Sequence, residues 1–182
     1  MYIYGKLTPM YYRILFLVIY LSSFAVFGQQ QNKIVFDENA QQEILYGLGT
    51  VDVFKEEPFE GWFSSGFNEY LLNENSIKQI GILVEEVSIR IVLGTWCSDS
   101  RREVPRFFKI LNAIHFPSER LEIIGVNRKK VAPEVGIMEG YVDYVPTFII
   151  FLNDIEIGRI IEKPSKTLEE DLLEILTNKI FQ

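Results

Sequence analysis

From residue 88 onward the chain reads β-α-β-(α)-β-β-α, an order that predicts an α/β fold: a mixed sheet with helices on both faces. Three observations carry this expectation. Four short, β-branched apolar runs, at 88–94, 121–126, 147–152 and 155–161, have the length and composition of buried strands. Residues 98–113, and the stretch after Thr167, instead repeat their apolar residues at helical spacing. Between the last two runs, Asn153-Asp154 supplies two residues that tolerate left-handed backbone angles, the signature of a hairpin.

Before this core the elements are less regular. Residues 1–28 read as a secretory signal, with Lys6 and Arg13 as the positive start, an apolar stretch from Ile14 to Phe27, and small Gly28 at the cleavage point. An uncleaved membrane anchor is the competing reading. The apolar run is short for a bilayer and contains Arg13, which favours cleavage. Residues 29–75 then form an N-terminal extension ahead of a domain at 76–182. Within the extension, residues 37–46 are open to a short helix closed by Gly47. Phe54, Phe59, Trp62, Phe63, Phe67 and Tyr70 stand among Gly, Pro and Ser, as in a segment that caps a core.

Ser76 and Gln79 suggest a capping box, with Ile77, Ile80, Leu83, Val84 and Val87 on one helical face. The helix at 98–113 turns Val104, Phe107, Phe108 and Leu111 inward. Residues 130–140 are expected to be a loop with a short helix. Thr167 and Glu170 form a capping box for a last helix carrying Leu168, Leu172, Leu173, Ile175 and Leu176.

Composition narrows the function. Nearly half of the residues are hydrophobic, enough for a packed core. The net charge is −7, and loss of Lys6 and Arg13 with the signal makes the mature chain two units more negative. Nucleic-acid binding needs a basic surface, which Arg101-Arg102 and Arg128-Lys129-Lys130 are too short to supply. One cysteine and one histidine, His115, stand at opposite ends of the 98–113 helix and do not make a metal ligand set. His115 reads as a surface residue at a helix end. There is no phosphate-binding Gly-rich loop and no nucleophilic-serine motif, so no cofactor is expected.

Cys97 has no internal disulfide partner. Its neighbours, IVLGTWCSDSRREVPRF, place it where a buried strand runs into a helix. Pro105 follows eight residues later and YVPTFIIF about fifty residues later. Together these resemble the thioredoxin family, over residues 88–179. The wider pattern W-C-x-D-S-x-R-E-x-P-R-F, behind an aromatic segment, also resembles a group of exported bacterial thioredoxin-family proteins. The resemblance implies a four-stranded mixed central sheet flanked by helices. It also implies that Pro105 bends the active-site helix and that Pro146 is cis, with Val145 beside Cys97. An extended peptide would then pair with Val145 as an added strand, near Trp96.

The chemistry at this position is that of a thiolate. A free thiol titrates at about pH 8.5, and the unpaired N–H groups at a helix start favour the anion. Arg101 and Arg102 in the first turn would add to this, and Asp99 would oppose it. Ser100 replaces the family's resolving cysteine: its hydroxyl could donate to Cys97 but cannot displace a mixed disulfide. The buried acid that thioredoxins carry six residues before the cysteine is Ile91 here. Gly94 stands where peroxiredoxins carry Thr, against a peroxidatic role.

The expectation is thus a monothiol, CxxS exchange protein of a Gram-negative envelope. Its partners would be protein or low-molecular-weight thiols and disulfides, and it would meet a membrane only if the signal is uncleaved. A redox-inactive peptide-binding module is the alternative.

Overall fold

A computed structural model describes residues 31–178; the expected signal at 1–28 lies outside them. The chain is α/β. Its strands are β1 (Ile34–Asp37), β2 (Gln42–Leu45), β3 (Gly47–Gly49), β4 (Val87–Leu93), β5 (Leu121–Gly125), β6 (Thr147–Leu152) and β7 (Ile155–Ile161). Its helices are α1 (Glu60–Glu69), α2 (Glu74–Leu83), α3 (Ser98–Ala113) and α4 (Leu168–Asn178). A five-stranded mixed sheet runs in the order β3-β5-β4-β6-β7, and β1-β2 forms a separate hairpin. β4 and β5 are parallel, as a helical crossover requires; the other pairs are antiparallel. Asn153 and Asp154 make the β6–β7 turn with φ of 49° and 64°.

Period-2 alternation sorts the sheet's side chains onto two faces. Val87, Ile89, Ile91 and Leu93 of β4, with Phe148 and Ile150 of β6, pack into one cluster to which all four helices contribute. Val92, Ile124 and Ile149 point the other way, under residues 126–145. The sequence predicts helices on both faces, but among the described residues this second face carries only a single 3-10 turn, at Pro133–Val135. Proline opens that turn and Gly136, at φ 80°, ends it, which leaves no room for a longer helix.

The sheet has five strands where four are expected. The extra strand, β3, comes from the extension and pairs with β5 in the register Gly47↔Gly125 and Leu48↔Ile124. The segment at 37–46 forms a hairpin and not a helix. Asp37 Oδ1 accepts from the N–H groups of Asn39 (2.7 Å) and Ala40 (3.0 Å), a local turn that competes with helix.

The aromatic segment is core: Phe54, Phe59 and Phe63 are buried, and the Phe54 and Phe63 rings stack at 5.0 Å. α1 lies against α3 so closely that a Cβ on Gly66 would stand 2.6 Å from Pro105 Cγ. α2 begins two residues earlier than Ser76, because the Asn73 side chain accepts from Ser76 N–H at 3.2 Å and caps it. Val87 belongs to β4 and not to this helix. Thr167 Oγ1 accepts from Glu170 N–H at 3.1 Å and opens α4. Among the described residues no helix is long and apolar enough to cross a membrane.

Candidate functional site

β4 ends at Leu93 and α3 must fold back over the sheet to bury Val104, Phe107 and Leu111, so the chain turns sharply through Gly94-Thr95-Trp96. Cys97 is the N-cap of α3, with extended angles (φ −91°, ψ 130°). Its N–H donates to Gly94 O at 2.8 Å, and its carbonyl accepts the first helical bond from Arg101 N–H at 3.0 Å. The side chain is half-buried. Trp96 folds back on the turn: its indole N–H donates to Val126 O at 2.8 Å, and a Cβ on Gly94 would meet its ring at 2.5 Å. Glycine at 94 is therefore a requirement of close approach.

The second strand of the site arrives from β6. The Val145–Pro146 peptide bond is cis, and the Cys97 thiol donates to Val145 O with Sγ···O at 3.3 Å. Two further bonds hold this bend. Glu162 N–H donates to Pro146 O at 2.7 Å, and Thr147 Oγ1 donates to Tyr144 O at 2.7 Å. Trp96, Cys97 and Val145 thus meet at the rim of the loop-covered apolar cluster.

Ser100, Arg101, Arg102 and Asp99 take different partners from those expected. Ser100 is fully buried and its Oγ accepts from Gly94 N–H at 3.2 Å; no hydrogen bond joins it to Cys97. Its hydroxyl fastens the turn. Arg101 does not turn to the thiol: Nε donates to Thr95 O at 2.7 Å and Nη2 to Gln42 Oε1 at 2.5 Å. Arg102 pairs with Asp99 at 2.7 Å and with Glu103 at 2.6 Å, so the two charges expected to act in opposite senses on Cys97 bind each other. The Glu103 hydrogen bond holds the Arg102 guanidinium above its ordinary value against partial desolvation, and Asp99 adds to this. Pro105 stands inside α3, buried against Gly66. Ile91 is fully buried in the helix-side core, so no carboxylate approaches the cysteine from that position.

Several residues at the site escape sequence reasoning. Thr95 is fully buried and its Oγ1 accepts from Leu45 N–H at 3.1 Å, across fifty positions of chain. Together with Gln42, it ties the β1–β2 hairpin to the cysteine turn. Glu103, 3% exposed, is a buried carboxylate held by Arg102 and by Arg106 at 3.4 Å. Arg128 lies over the Trp96 ring, 5.1 Å from its centroid.

Among the described residues no group of three or more His, Cys, Asp and Glu is placed to hold a metal ion. A cleft of about 630 Å³ between Arg90, Arg120 and Glu122, and an apolar one of about 430 Å³ between α1 and α3 at His115, are not lined by Cys97, Trp96 or Val145.

No family model matches the chain, and no curated protein matches it. Among solved structures, a protein of unknown function from Pseudomonas aeruginosa aligns at 10% identity with a TM-score of 0.49, covering 66% of this chain and 84% of its own.

Proposed function

We propose that the chain is a thioredoxin-fold, monothiol exchange protein of a Gram-negative cell envelope, acting through Cys97. The observation that carries this reading is the meeting of a half-buried cysteine, at the start of α3, with the carbonyl of a cis Val145–Pro146 unit. Export rests on the signal-like segment at 1–28.

In the reaction, the Cys97 proton passes to a base in solvent and the sulfur attacks one sulfur of a disulfide. The S–S bond breaks, the second sulfur leaves with the electron pair as a thiolate, and a mixed disulfide remains on Cys97. Ser100 has no sulfur with which to displace it. An external thiol must therefore attack, take the carried group as a new disulfide and return Cys97 to the reduced form.

A peptide carrying a mixed disulfide, with excess free thiol as reductant, tests this. Its reduction is expected to run at least about tenfold faster with the protein than without, the scale of one 1.4 kcal/mol barrier change. Cys97→Ala should return the rate to that of buffer. Equal rates for Cys97→Ala and the native sequence would sink the exchange reading. They would leave the alternative, a redox-inactive binding module that holds a peptide in the groove around Trp96, Val145 and Pro146, beside which Tyr144 is exposed.

A further inference from the structure

We infer that the site selects low-molecular-weight disulfides and thiols that carry a carboxylate, which Arg128 receives on the Trp96 side of Cys97. This assignment rests on Cys97 being the exchanging sulfur. The geometry behind it is separate.

Seven arginines lie among the described residues. The side chains of Arg90, Arg101, Arg102, Arg106, Arg120 and Arg159 are all engaged in hydrogen bonds or ion pairs within the protein. Arg128 is different: among the described residues it makes no ion pair and no side-chain hydrogen bond, and its guanidinium is laid over the Trp96 ring. A ring that stacks a guanidinium leaves its N–H edge free, and that planar fork matches a carboxylate.

The platform is rigid. Trp96 is fixed by its bond to Val126 O and by contact with Gly94. The turn that carries Arg128 is fixed by Asn127, whose Oδ1 accepts from Lys129 N–H at 2.9 Å and Val131 N–H at 3.3 Å. Lys129 and Lys130 share that turn and form no ion pair among the described residues, so three positive charges collect there in a chain of net charge −7. Asp99, the acid nearest in sequence to Cys97, is already bound to Arg102. Asp143 and Glu162 belong to the segments next to Pro146, Glu162 through the bond from its N–H to Pro146 O, and neither shares the turn that carries Arg128.

The test measures reaction rates of the full chain with three disulfides: carboxylate-bearing dithiobis-nitrobenzoate, neutral dithiodipyridine and cationic cystamine. Arg128→Ala removes an exposed side chain and should leave the fold intact. It is expected to slow the carboxylate reagent by roughly 3- to 10-fold, the scale of one unit charge at contact distance. The neutral reagent should stay within about twofold, and added salt should shrink the difference. Arg128→Lys should keep part of the preference. A similar fall for all three reagents, or no fall for the carboxylate reagent, would overturn the assignment while leaving Cys97 as the exchanging group. Reaction with none of the three in the native sequence would overturn both.

Discussion

In a Ser100→Cys variant, two titratable thiols are expected to vanish together on mild oxidation, with a mass loss of two hydrogens and recovery on reduction. Ser100 is the third residue of α3 and Cys97 its N-cap, so the two side chains lie one turn apart on the same side of the helix start. Cys97, as an N-cap in the extended region, and the third helical residue hold the two positions whose side chains meet in a capping box. The substitution also removes the hydroxyl that accepts from Gly94 N–H. Leaving that buried donor unpaired costs about 1–3 kcal/mol in the reduced form. The variant should thus melt earlier than the native chain when reduced, and gain stability when oxidised. Two free thiols persisting under oxidant would show that residues 97 and 100 do not face each other.

Gly125→Ala should be the most damaging small substitution in the sheet. A Cβ there would stand 2.3 Å from the carbonyl oxygen of Leu45, and backbone cannot rotate away as a side chain can. β3 would have to separate from β5, and Leu45 N–H would lose Thr95 Oγ1. Overpacking of this kind costs about 1–3 kcal/mol and more where backbone must shift. We expect a loss of about 3 kcal/mol in urea unfolding, with the Cys97 turn loosened as well. A loss below about 1 kcal/mol would mean that the N-terminal strands contribute little to the domain.

That result bears on what the sequence reveals. The run from β4 to α4 is legible because its strands are short, continuous β-branched apolar runs and its helices α3 and α4 repeat their apolar residues at helical spacing. The N-terminal part is not. β3 is three residues, Gly-Leu-Gly, too short and too glycine-rich to show alternation, and it exists only because β5 offers an edge. The hairpin at 34–45 is fixed by the Asp37 turn and by Thr95 and Arg101, residues fifty or more positions from the groups they bind.

The same distinction holds at the site. Trp96, Cys97, Val145 and Pro146 are visible as short motifs. Arg101 and Arg102 are visible only as charges, and a charge does not announce its partner. Gln42 for Arg101, and Asp99 with Glu103 for Arg102, emerge only when the chain is folded. Arg128 reads as part of a basic cluster too small to matter; its place over Trp96 gives it a role.

The sulfur itself gives the most direct test of the central claim. Intact-mass measurement of the folded protein after exposure to a low-molecular-weight disulfide should show one adduct per chain, on Cys97, released by dithiothreitol. A native chain that stays unmodified, and takes up the adduct only after unfolding in urea, would contradict the account.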